Sequence, residues 1–378
     1  MSYPISVVVP TKNRYKYLKS LIELIIGFDT DELELVIQDN SDNNLEIEEW
    51  LAGKNYPWLK YYYCSDKLTS IQNFDLAINN STGDYVTFIG DDDGVTRTIV
   101  ECAKWMKKNN IEALRTMKCV YNWPDLGSDG GNIYIEKKSW FIHYLNPIKE
   151  LEKVLKSGCR GLGNIPLTYG GIVKREVLRS IYTDYGTFFP GGASADIANG
   201  VALCFYVKRF AALNAPIIIT GTSKKTGGVS DRRRPMKFSD LPFISENVGH
   251  NWEGDFPQYW LGVYVWPESA IKALRALKQE SLILYLKYDK IHASAIVRAG
   301  LKVSDLYPYC SRPINLWWEL FKRKINKYMV GGINRTINLL TFGRIGYKNR
   351  KISGNQDIIC AESKLVEVSK INFNELNY

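Results

Sequence analysis

The sequence predicts an α/β fold in which a mostly parallel central sheet carries helices on both faces and a helical C-terminal region follows. Three observations predict this fold. Over about the first 120 residues, short apolar runs rich in β-branched residues alternate with segments of helical spacing. The early apolar runs end in polar clusters, and strand-like runs cease beyond about Asp240. Alternation of this kind is typical of βαβ units, whose strands run parallel.

Each early apolar run has the length of a strand, and a segment with helical spacing follows it. The predicted strands are Ile5–Val9, Leu33–Gln38, Lys60–Tyr63, Tyr85–Ile89 and Ala113–Met117. The predicted helices between them are Tyr17–Ile26, Leu45–Leu51, Ile71–Asn79 and Thr98–Lys107. Farther along, the same patterns predict strands at Leu167–Val173 and Ile217–Thr220 and helices at Pro147–Ser157, Arg175–Ile181, Ala195–Val207, Pro267–Tyr285 and Lys290–Ala299.

A length of 378 residues exceeds that of a usual single domain. We therefore predict an α/β domain over residues 1–240, with halves 1–118 and 119–240, and a helical region over 241–378. The seven cysteines are scattered without a CxxC pair, and the three histidines lie far apart. This pattern disfavours a disulfide framework and a zinc site. No basic and apolar leader precedes Ile5, so we expect a cytoplasmic protein without a signal peptide.

The net charge of +9 is concentrated in one segment of the chain. Between Arg312 and Lys351, ten basic residues stand against the single acid Glu319, and this difference equals the excess of the whole chain. The remainder is close to neutral. A basic surface of the kind that nucleic-acid binding requires is therefore not expected.

Apolar residues recur at helical spacing from Asn315 to Leu340, with lysine and arginine between them. This combination fits a helix on an anionic membrane surface. It predicts peripheral contact through residues 313–351 at the inner face of the plasma membrane. The alternative is an amphipathic helix that packs on the domain or on another copy in an oligomer.

Three polar clusters follow predicted strands, namely Pro10–Arg14, Asp39–Asp42 and Gly90–Gly94. In parallel sheets, ligands bind outside the carboxyl ends of the strands. Three clusters at one edge of one sheet would line a single crevice. The sequence therefore predicts that these residues form one ligand site.

The run Asp91-Asp92-Asp93 follows an apolar strand, where adjacent carboxylates are costly unless something neutralises them. Side chains alternate along extended backbone, so Asp91 and Asp93 can face the same way. Two converging carboxylates suit Mg²⁺ or Mn²⁺, particularly when a diphosphate completes the ligand shell. The alternative is a solvated turn.

Asp39 follows the second strand, where a carboxylate can accept hydrogen bonds from a base or a ribose. An Asx turn over Asp39–Ser41 is the alternative. Thr11, Asn13 and Arg14 follow the first strand, and neither GxGxxG nor GxxxxGK[ST] occurs there. A Rossmann dehydrogenase and a P-loop NTPase are therefore disfavoured.

The resemblance to a known family is specific in three motifs. Pro10-Thr11-Lys12-Asn13-Arg14, Val36-Ile37-Gln38-Asp39-Asn40-Ser41 and Ser81-Thr82-Gly83-Asp84-Tyr85-Val86-Thr87-Phe88-Ile89-Gly90-Asp91-Asp92-Asp93 resemble family 2 glycosyltransferases of the GT-A fold. Bacterial surface-polysaccharide and O-antigen enzymes are similar in this respect. The family pattern reads FLDxDD, and Gly90 stands here in place of its first aspartate.

The resemblance implies an inverting glycosyltransferase that moves a sugar from a UDP-, GDP- or dTDP-sugar to a glycan or lipid-linked acceptor, assisted by Mn²⁺ or Mg²⁺, in surface-polysaccharide biosynthesis. Residues 1–240 would then be the catalytic domain, with a nucleotide-sugar-binding half and an acceptor half. The resemblance implies that Thr11, Arg14, Asp39 and Asp91 bind the donor, and we predict that Pro10, Asn13, Asn73, Asp92 and Lys224 do so too. For Lys224, a solvated charged loop is the alternative. The implied metal ligands are Asp91 and Asp93, with Asp92 as an alternative.

Family members also place a carboxylate at the start of a helix as general base, and the counterpart here is Asp196 in Ser194-Ala195-Asp196. An acid that favours the helix N-terminus is the structural alternative. Two other functions stay open for the whole chain. One is a sugar-phosphate nucleotidyltransferase, although its Gly-rich loop and basic signature are absent after Val9. The other is a non-catalytic nucleotide-binding scaffold.

Overall fold

A computed structural model describes residues 3–117, 119–136, 141–225, 234–241, 244–310, 312–325, 349–373 and 376. Its strands are β1 (Ile5–Thr11), β2 (Leu33–Asp39), β3 (Leu59–Tyr63), β4 (Tyr85–Phe88), β5 (Gly94–Val95), β6 (Ala113–Thr116), β7 (Cys119–Asn122), β8 (Asn132–Glu136), β9 (Ile142–Leu145), β10 (Gly171–Lys174), β11 (Phe210–Leu213), β12 (Ile218–Thr222) and β13 (Asn349–Ile352).

The α-helices are α1 (Tyr15–Ile26), α2 (Leu45–Leu51), α3 (Ser70–Asn79), α4 (Ile99–Lys108), α5 (Pro147–Lys156), α6 (Arg175–Tyr185), α7 (Ala195–Tyr206), α8 (Gly262–Ala276), α9 (Tyr288–Ala299), α10 (described over 313–325) and α11 (Ile358–Ser369). Short 3-10 helices lie at Pro124–Asp129, Phe238–Asp240, Glu246–Val248, Glu280–Tyr285 and Ser304–Tyr309.

The central sheet has the strand order β3-β2-β1-β4-β10-β6-β11-β9. Strands β1 to β4 are parallel to one another, while β10 runs antiparallel to both of its neighbours. A second sheet has the order β13-β8-β7-β12-β5. The carboxyl ends of β1, β2 and β4 therefore lie at one edge of the central sheet, as the sequence predicts.

Side-chain alternation along β1 supplies both faces of the sheet with apolar residues. Val7 and Val9 belong to a core formed with α1, α4 and α11, whereas Val8 belongs to a core formed with α3 and α5 to α9. Burying apolar side chains on both faces is what favours a parallel sheet covered by helices. The predicted α/β fold class with C-terminal helices is confirmed.

The predicted elements of the first half coincide with β1 to β4, β6 and α1 to α4 to within a few residues. Two downstream predictions were too long. Strand β10 begins only at Gly171, because Gly170 has a positive φ of 68° and turns the chain. The predicted helix at Pro267–Tyr285 ends at Ala276, since Lys278 adopts a left-handed φ of 56° before a separate 3-10 helix begins.

The expectation that strands cease beyond about Asp240 was wrong. Strand β13 pairs antiparallel with β8, from Asn349 opposite Glu136 to Ile352 opposite Ile133. Its sequence is polar and basic and carries no apolar alternation, so its strand conformation depends on a distant partner. Helix α11 then packs against α1. The C-terminal segment thus returns to the α/β part of the chain, and a domain boundary at residue 240 remains a proposal.

Candidate functional site

The end of β1 lies between the polar ends of its two neighbours. Parallel pairing puts Thr11 opposite Asp39 of β2, and the pairing of Val8 with Phe88 puts the acidic run after β4 on the other side. The Thr11 hydroxyl donates to Asp91 Oδ2 over 2.7 Å. The sheet register therefore brings residues 80 positions apart into direct contact.

Arg14 joins the first two aspartates of the run. Its Nη1 lies 3.0 Å from Asp91 Oδ1, and its Nη2 lies 2.6 Å from Asp92 Oδ2. The same Nη2 donates to Ser223 Oγ, which donates in turn to Asp92 Oδ2 over 2.7 Å. One guanidinium thus partly neutralises two buried carboxylates, and the segment after β12 is bound to it.

Asp93 faces a different set of groups. Its Oδ2 accepts hydrogen bonds from the Gly90 amide (2.8 Å) and the Tyr169 hydroxyl (2.9 Å), and its Oδ1 accepts from the Gly221 amide (2.7 Å). Both oxygens are engaged by the protein itself. The Asp93 carboxylate therefore fixes the loop after β4, strand β12 and the turn before β10 against one another.

Burial sets the charge state of this cluster. All three aspartates have at most 4% of their surface exposed. Burial raises the pKa of Asp91 to about 7, with a further contribution from Asp92 that the Arg14 charge opposes. Burial also raises the pKa of Asp93, and the neighbouring Asp92 adds to the shift. Such a cluster gains from any further positive charge that reaches it.

Asp39 is fully buried and well hydrogen-bonded. Its Oδ2 accepts from the hydroxyls of Tyr15 and Tyr61, each over 2.8 Å, and its Oδ1 accepts from the Ser41 amide over 2.8 Å. The last bond is the one that an Asx turn requires. A contact of Asp39 with a nucleobase remains a prediction.

Other predicted donor-binding residues surround this edge. Pro10 is a buried residue of β1 opposite Gln38. Asn13 is exposed, adopts a left-handed φ of 57°, and its Nδ2 donates to Asp42 Oδ2 over 2.8 Å. Because Asn tolerates that conformation better than most residues, it suits this turn.

Asn73 and Lys224 differ in their surroundings. Asn73 lies in α3, and its Oδ1 is buried without a hydrogen-bond donor among the described residues. Lys224 is exposed, and its amide donates to Asp125 Oδ1 over 3.3 Å. The neighbouring Lys225 ammonium donates to the Asn13 carbonyl over 3.4 Å. The segment after β12 therefore brings positive charge to the end of β1.

Asp196 lies in the first turn of α7 and is half-buried. Asn199, one turn later, accepts hydrogen bonds through Oδ1 from the Thr168 amide (3.2 Å) and hydroxyl (2.8 Å). These bonds fix α7 against the turn that carries Tyr169. Burial, then Asp93, then Asp196 raise the pKa of Tyr169, so both carboxylates act on one phenol.

The sequence patterns predict no role for Tyr169, Ser223 or Arg115. Arg115 is a half-buried cation in the strand Ala113–Thr116, and a charged residue in such a position is uncommon enough to be noticed in the sequence. Burial lowers its pKa, and the Asp196 charge opposes that shift. Tyr169 and Ser223 carry no such signal, because their hydroxyls reach Asp93 and Asp92 only through tertiary structure.

The residues present fit a divalent cation that a diphosphate also coordinates. Asp91 Oδ1 is buried and lies 3.0 Å from Arg14 Nη1. In the described part of the chain, no three His, Cys, Asp or Glu side chains form a ready metal cage. Mg²⁺-type sites use one or two carboxylates plus substrate phosphates, so a complete cage is not required. Asp91 and Asp92 already bind one cation together, the Arg14 guanidinium, so these two carboxylates can share a positive charge.

Gly221 is required by the close approach of two backbones at this site. A Cβ added there would lie 1.7 Å from the Asp92 carbonyl oxygen, which also accepts from the Trp123 indole. We expect Gly221→Ala to displace the acidic run, to lower the free energy of unfolding by about 1–3 kcal/mol and to weaken donor binding. Thermal unfolding with and without a nucleotide-sugar measures both effects.

The matched control for that substitution is Gly53→Ala. A Cβ at Gly53 meets nothing within 4 Å, so the change should leave stability and donor binding nearly unchanged. Equal behaviour of the two variants would contradict the close approach at Gly221.

The N-terminal part of the chain matches the model of a known protein family. Residues 6–144 match the model of the glycosyl transferase family 2. This match confirms the family resemblance for the segment that contains β1 to β8 and the acidic run. No curated protein matches the chain.

Solved structures of two proteins are remotely similar to this chain. TarS residues 1–349 from S. aureus in complex with UDP-GlcNAc is 18% identical, with a TM-score of 0.43 and coverage of 59% of each chain. The longer TarS structure is covered over 37% of its length. The mannosyltransferase PcManGT from Pyrobaculum calidifontis, in complex with GDP-Man and Mn²⁺, is 13% identical, with a TM-score of 0.45 and coverage of 98% and 89%. Likenesses this remote carry no argument about ligands.

Proposed function

We propose that this chain, whose residues 6–144 match glycosyl transferase family 2, is an inverting glycosyltransferase that uses a nucleotide-diphosphate sugar. The observation that carries the proposal is the convergence of Thr11 and Arg14 with the three aspartates at the carboxyl edge of a parallel sheet. In such sheets that edge is where ligands bind. The donor is a UDP-, GDP- or dTDP-sugar.

The proposed donor-binding residues differ in chemistry, and each group of them suits a different part of the donor. We assign Thr11, Asn13 and Asp39, at the ends of β1 and β2, to the nucleoside, since hydroxyl, amide and carboxylate groups can hydrogen-bond to it. The cations Arg14 and Lys224 are assigned to the diphosphate, since cations bind phosphate oxygens. Asn73 Oδ1, which is buried without a hydrogen-bond donor among the described residues, is assigned to a donor hydroxyl.

In the proposed reaction, the acceptor hydroxyl oxygen bonds to the anomeric carbon while the bond from that carbon to the diphosphate oxygen breaks. Asp196 accepts the proton of the attacking hydroxyl as general base. Attack on the face opposite the leaving group inverts the anomeric carbon. This role is supported by Tyr169, whose hydroxyl donates to Asp93 and whose pKa is raised by burial and then by the charges of Asp93 and Asp196.

The proposed reaction also uses a divalent cation. Asp91 with Asp92 would hold Mn²⁺ or Mg²⁺, and Asp93 would hold the surrounding loops in place. When bound, the ion would offset charge on the departing nucleoside diphosphate. Arg14 already binds both carboxylates, so it would have to share or leave them when the ion arrives.

The acceptor is proposed to be a glycan or a lipid-linked glycan in surface-polysaccharide biosynthesis. A lipid-linked acceptor would place a cytoplasmic enzyme at the inner face of the plasma membrane, in contact through residues 313–351. Residues 326–348 of that segment lie outside the described residues. Among the described helices, none combines the length and the apolar character needed to cross a membrane.

A panel of nucleotide-sugars tests the proposal directly. The cognate donor with Mn²⁺ at 100 times its dissociation constant should stabilise the native state by about 2.7 kcal/mol, because it binds only that state. Thermal unfolding with Mn²⁺ or with a chelator measures the effect. Stabilisation by no member of the panel would reject a nucleotide-sugar donor, and equal stabilisation in the chelator would reject the metal.

A further inference from the structure

A second cavity lies away from the acidic run, between α5, α9 and α10. Its volume is about 420 Å³, and its lining residues are Arg160, Lys290, Glu319, Lys322 and Arg323. Four of these five described residues are cations. The one carboxylate, Glu319, is bound to the Lys322 ammonium at 3.0 Å. The cavity therefore carries a net positive charge.

Three of the cations are held by backbone carbonyls. Arg160 Nε donates to Ser157 O (3.1 Å), Lys290 Nζ donates to Lys156 O (3.0 Å), and Arg323 Nη2 donates to Lys290 O (2.7 Å). Carbonyls orient a cation without cancelling its charge. Cations oriented in this way favour an anion that accepts several charge-assisted hydrogen bonds, and a phosphate group does so best.

The electrostatic field in the cavity supports this conclusion. Burial and the nearby Arg160 lower the pKa of Arg323 to about 10, and Arg298 contributes in the same direction. The Arg323 Nε is buried without a hydrogen-bond acceptor among the described residues. A bound anion would relieve the repulsion between these groups.

Helix α10 carries an exposed apolar face next to the cavity. Leu316 is fully buried on the inner side of the helix. Ile314, Trp317, Trp318, Phe321 and Ile325 recur at helical spacing on the outer side, with exposed fractions of 70, 51, 55, 53 and 40%. A helix that only packs on its domain has polar residues on its outer side. An exposed aromatic face beside cationic groups is typical of a helix that lies in a membrane interface.

We propose that α10 docks on an anionic membrane surface, with its aromatic face in the interface and the phosphate group of a lipid headgroup in the cavity lined by Arg160, Lys290, Lys322 and Arg323. The inference goes beyond sugar transfer, because neither the cavity nor the exposed face belongs to the acidic site. Lysine and arginine near a membrane attract anionic lipids, and aromatic side chains favour the interface.

Vesicle flotation with the full chain tests the proposal. Vesicles of phosphatidylcholine with phosphatidylglycerol should bind the protein, and vesicles of phosphatidylcholine alone should bind it weakly. The exposed pair Arg160→Gln/Lys322→Gln should weaken binding to the anionic vesicles roughly 30-fold, because two surface charges are lost. The pair Trp317→Ala/Trp318→Ala should also reduce binding. The control Lys104→Gln/Lys107→Gln removes the same charge from α4 and should bind like the unaltered protein.

Three results would overturn the proposal. The first is equal binding to neutral and anionic vesicles, and the second is equal loss in the cavity variant and the α4 control. The third concerns a soluble ligand and uses sodium pyrophosphate as the probe. If pyrophosphate stabilises the unaltered protein but not the cavity variant, and the unaltered protein does not bind vesicles, the cavity binds a free phosphate compound. None of these measurements needs transferase activity, so their failure would remove the proposed membrane contact through residues 313–351 and leave the proposed sugar transfer standing.

Discussion

The substitution Asp196→Asn is expected to lower kcat for sugar transfer by about 10²–10⁴-fold, the range over which a positioned general base contributes. The asparagine amide keeps the shape of the side chain but cannot accept the proton of the acceptor hydroxyl. Donor binding should stay the same, because none of the proposed donor-binding residues lies in α7. Initial rates with the cognate donor and donor-induced thermal stabilisation measure the two quantities.

The alternative role of Asp196, as an acid at a helix N-terminus, predicts a different result. Loss of that interaction alone would lower the free energy of unfolding by about 0.3–1 kcal/mol and would leave kcat unchanged. Glu176→Gln is the matched control, since Glu176 also lies in the first turn of a helix, α6, and is exposed. If the Asp196→Asn and Glu176→Gln variants have the same kcat for sugar transfer, Asp196 is not the general base.

The substitution Arg14→Gln is expected to lower the stability of the folded protein. It removes the guanidinium that binds both Asp91 and Asp92, which are almost completely buried. Leaving a buried charge without its partner costs about 3–5 kcal/mol, so the free energy of unfolding should fall by about that amount. Added Mn²⁺ should restore part of the loss, because it supplies positive charge to the same two carboxylates. Chemical denaturation with and without Mn²⁺ measures both changes.

Arg97→Gln is the control for this experiment. Arg97 binds the buried Glu362 of α11 at 3.0 Å, away from the acidic run. Its loss should also destabilise the protein, but Mn²⁺ should not compensate, since only one carboxylate is freed there. If Mn²⁺ stabilises the two variants equally, Asp91 and Asp92 do not bind the ion as a pair.

Local sequence patterns were enough to predict the elements that form the donor-side edge of the sheet. Strands β1, β2 and β4 are predominantly apolar runs whose residues are all buried, and α1 and α3 have helical spacing, so their local preferences agree with their final structure. Parallel βαβ connection then requires their carboxyl ends to share one edge. The sequence therefore predicts that Thr11, Asp39 and Asp91 lie close together.

Which group each side chain contacts was not predictable in the same way. Asp91, Asp92 and Asp93 are adjacent in sequence, yet Arg14 binds the first two, whereas Tyr169 and the Gly221 amide bind the third. These partners come from elements 76 to 128 residues away, and nothing in the local pattern fixes their distance. The alternation rule put Asp91 and Asp93 on one side, but residues of a tight loop after a strand need not follow that rule.

Apolar periodicity and chain connectivity are properties of the sequence, and they are enough to predict the fold class, the acidic run and the edge of the sheet at which it lies. Three features follow from the folded structure instead: which aspartates face Arg14, how β13 and α11 return to the N-terminal half, and which side of α10 is exposed. These features depend on contacts between residues far apart in the chain, whose geometry is set by packing of the whole molecule.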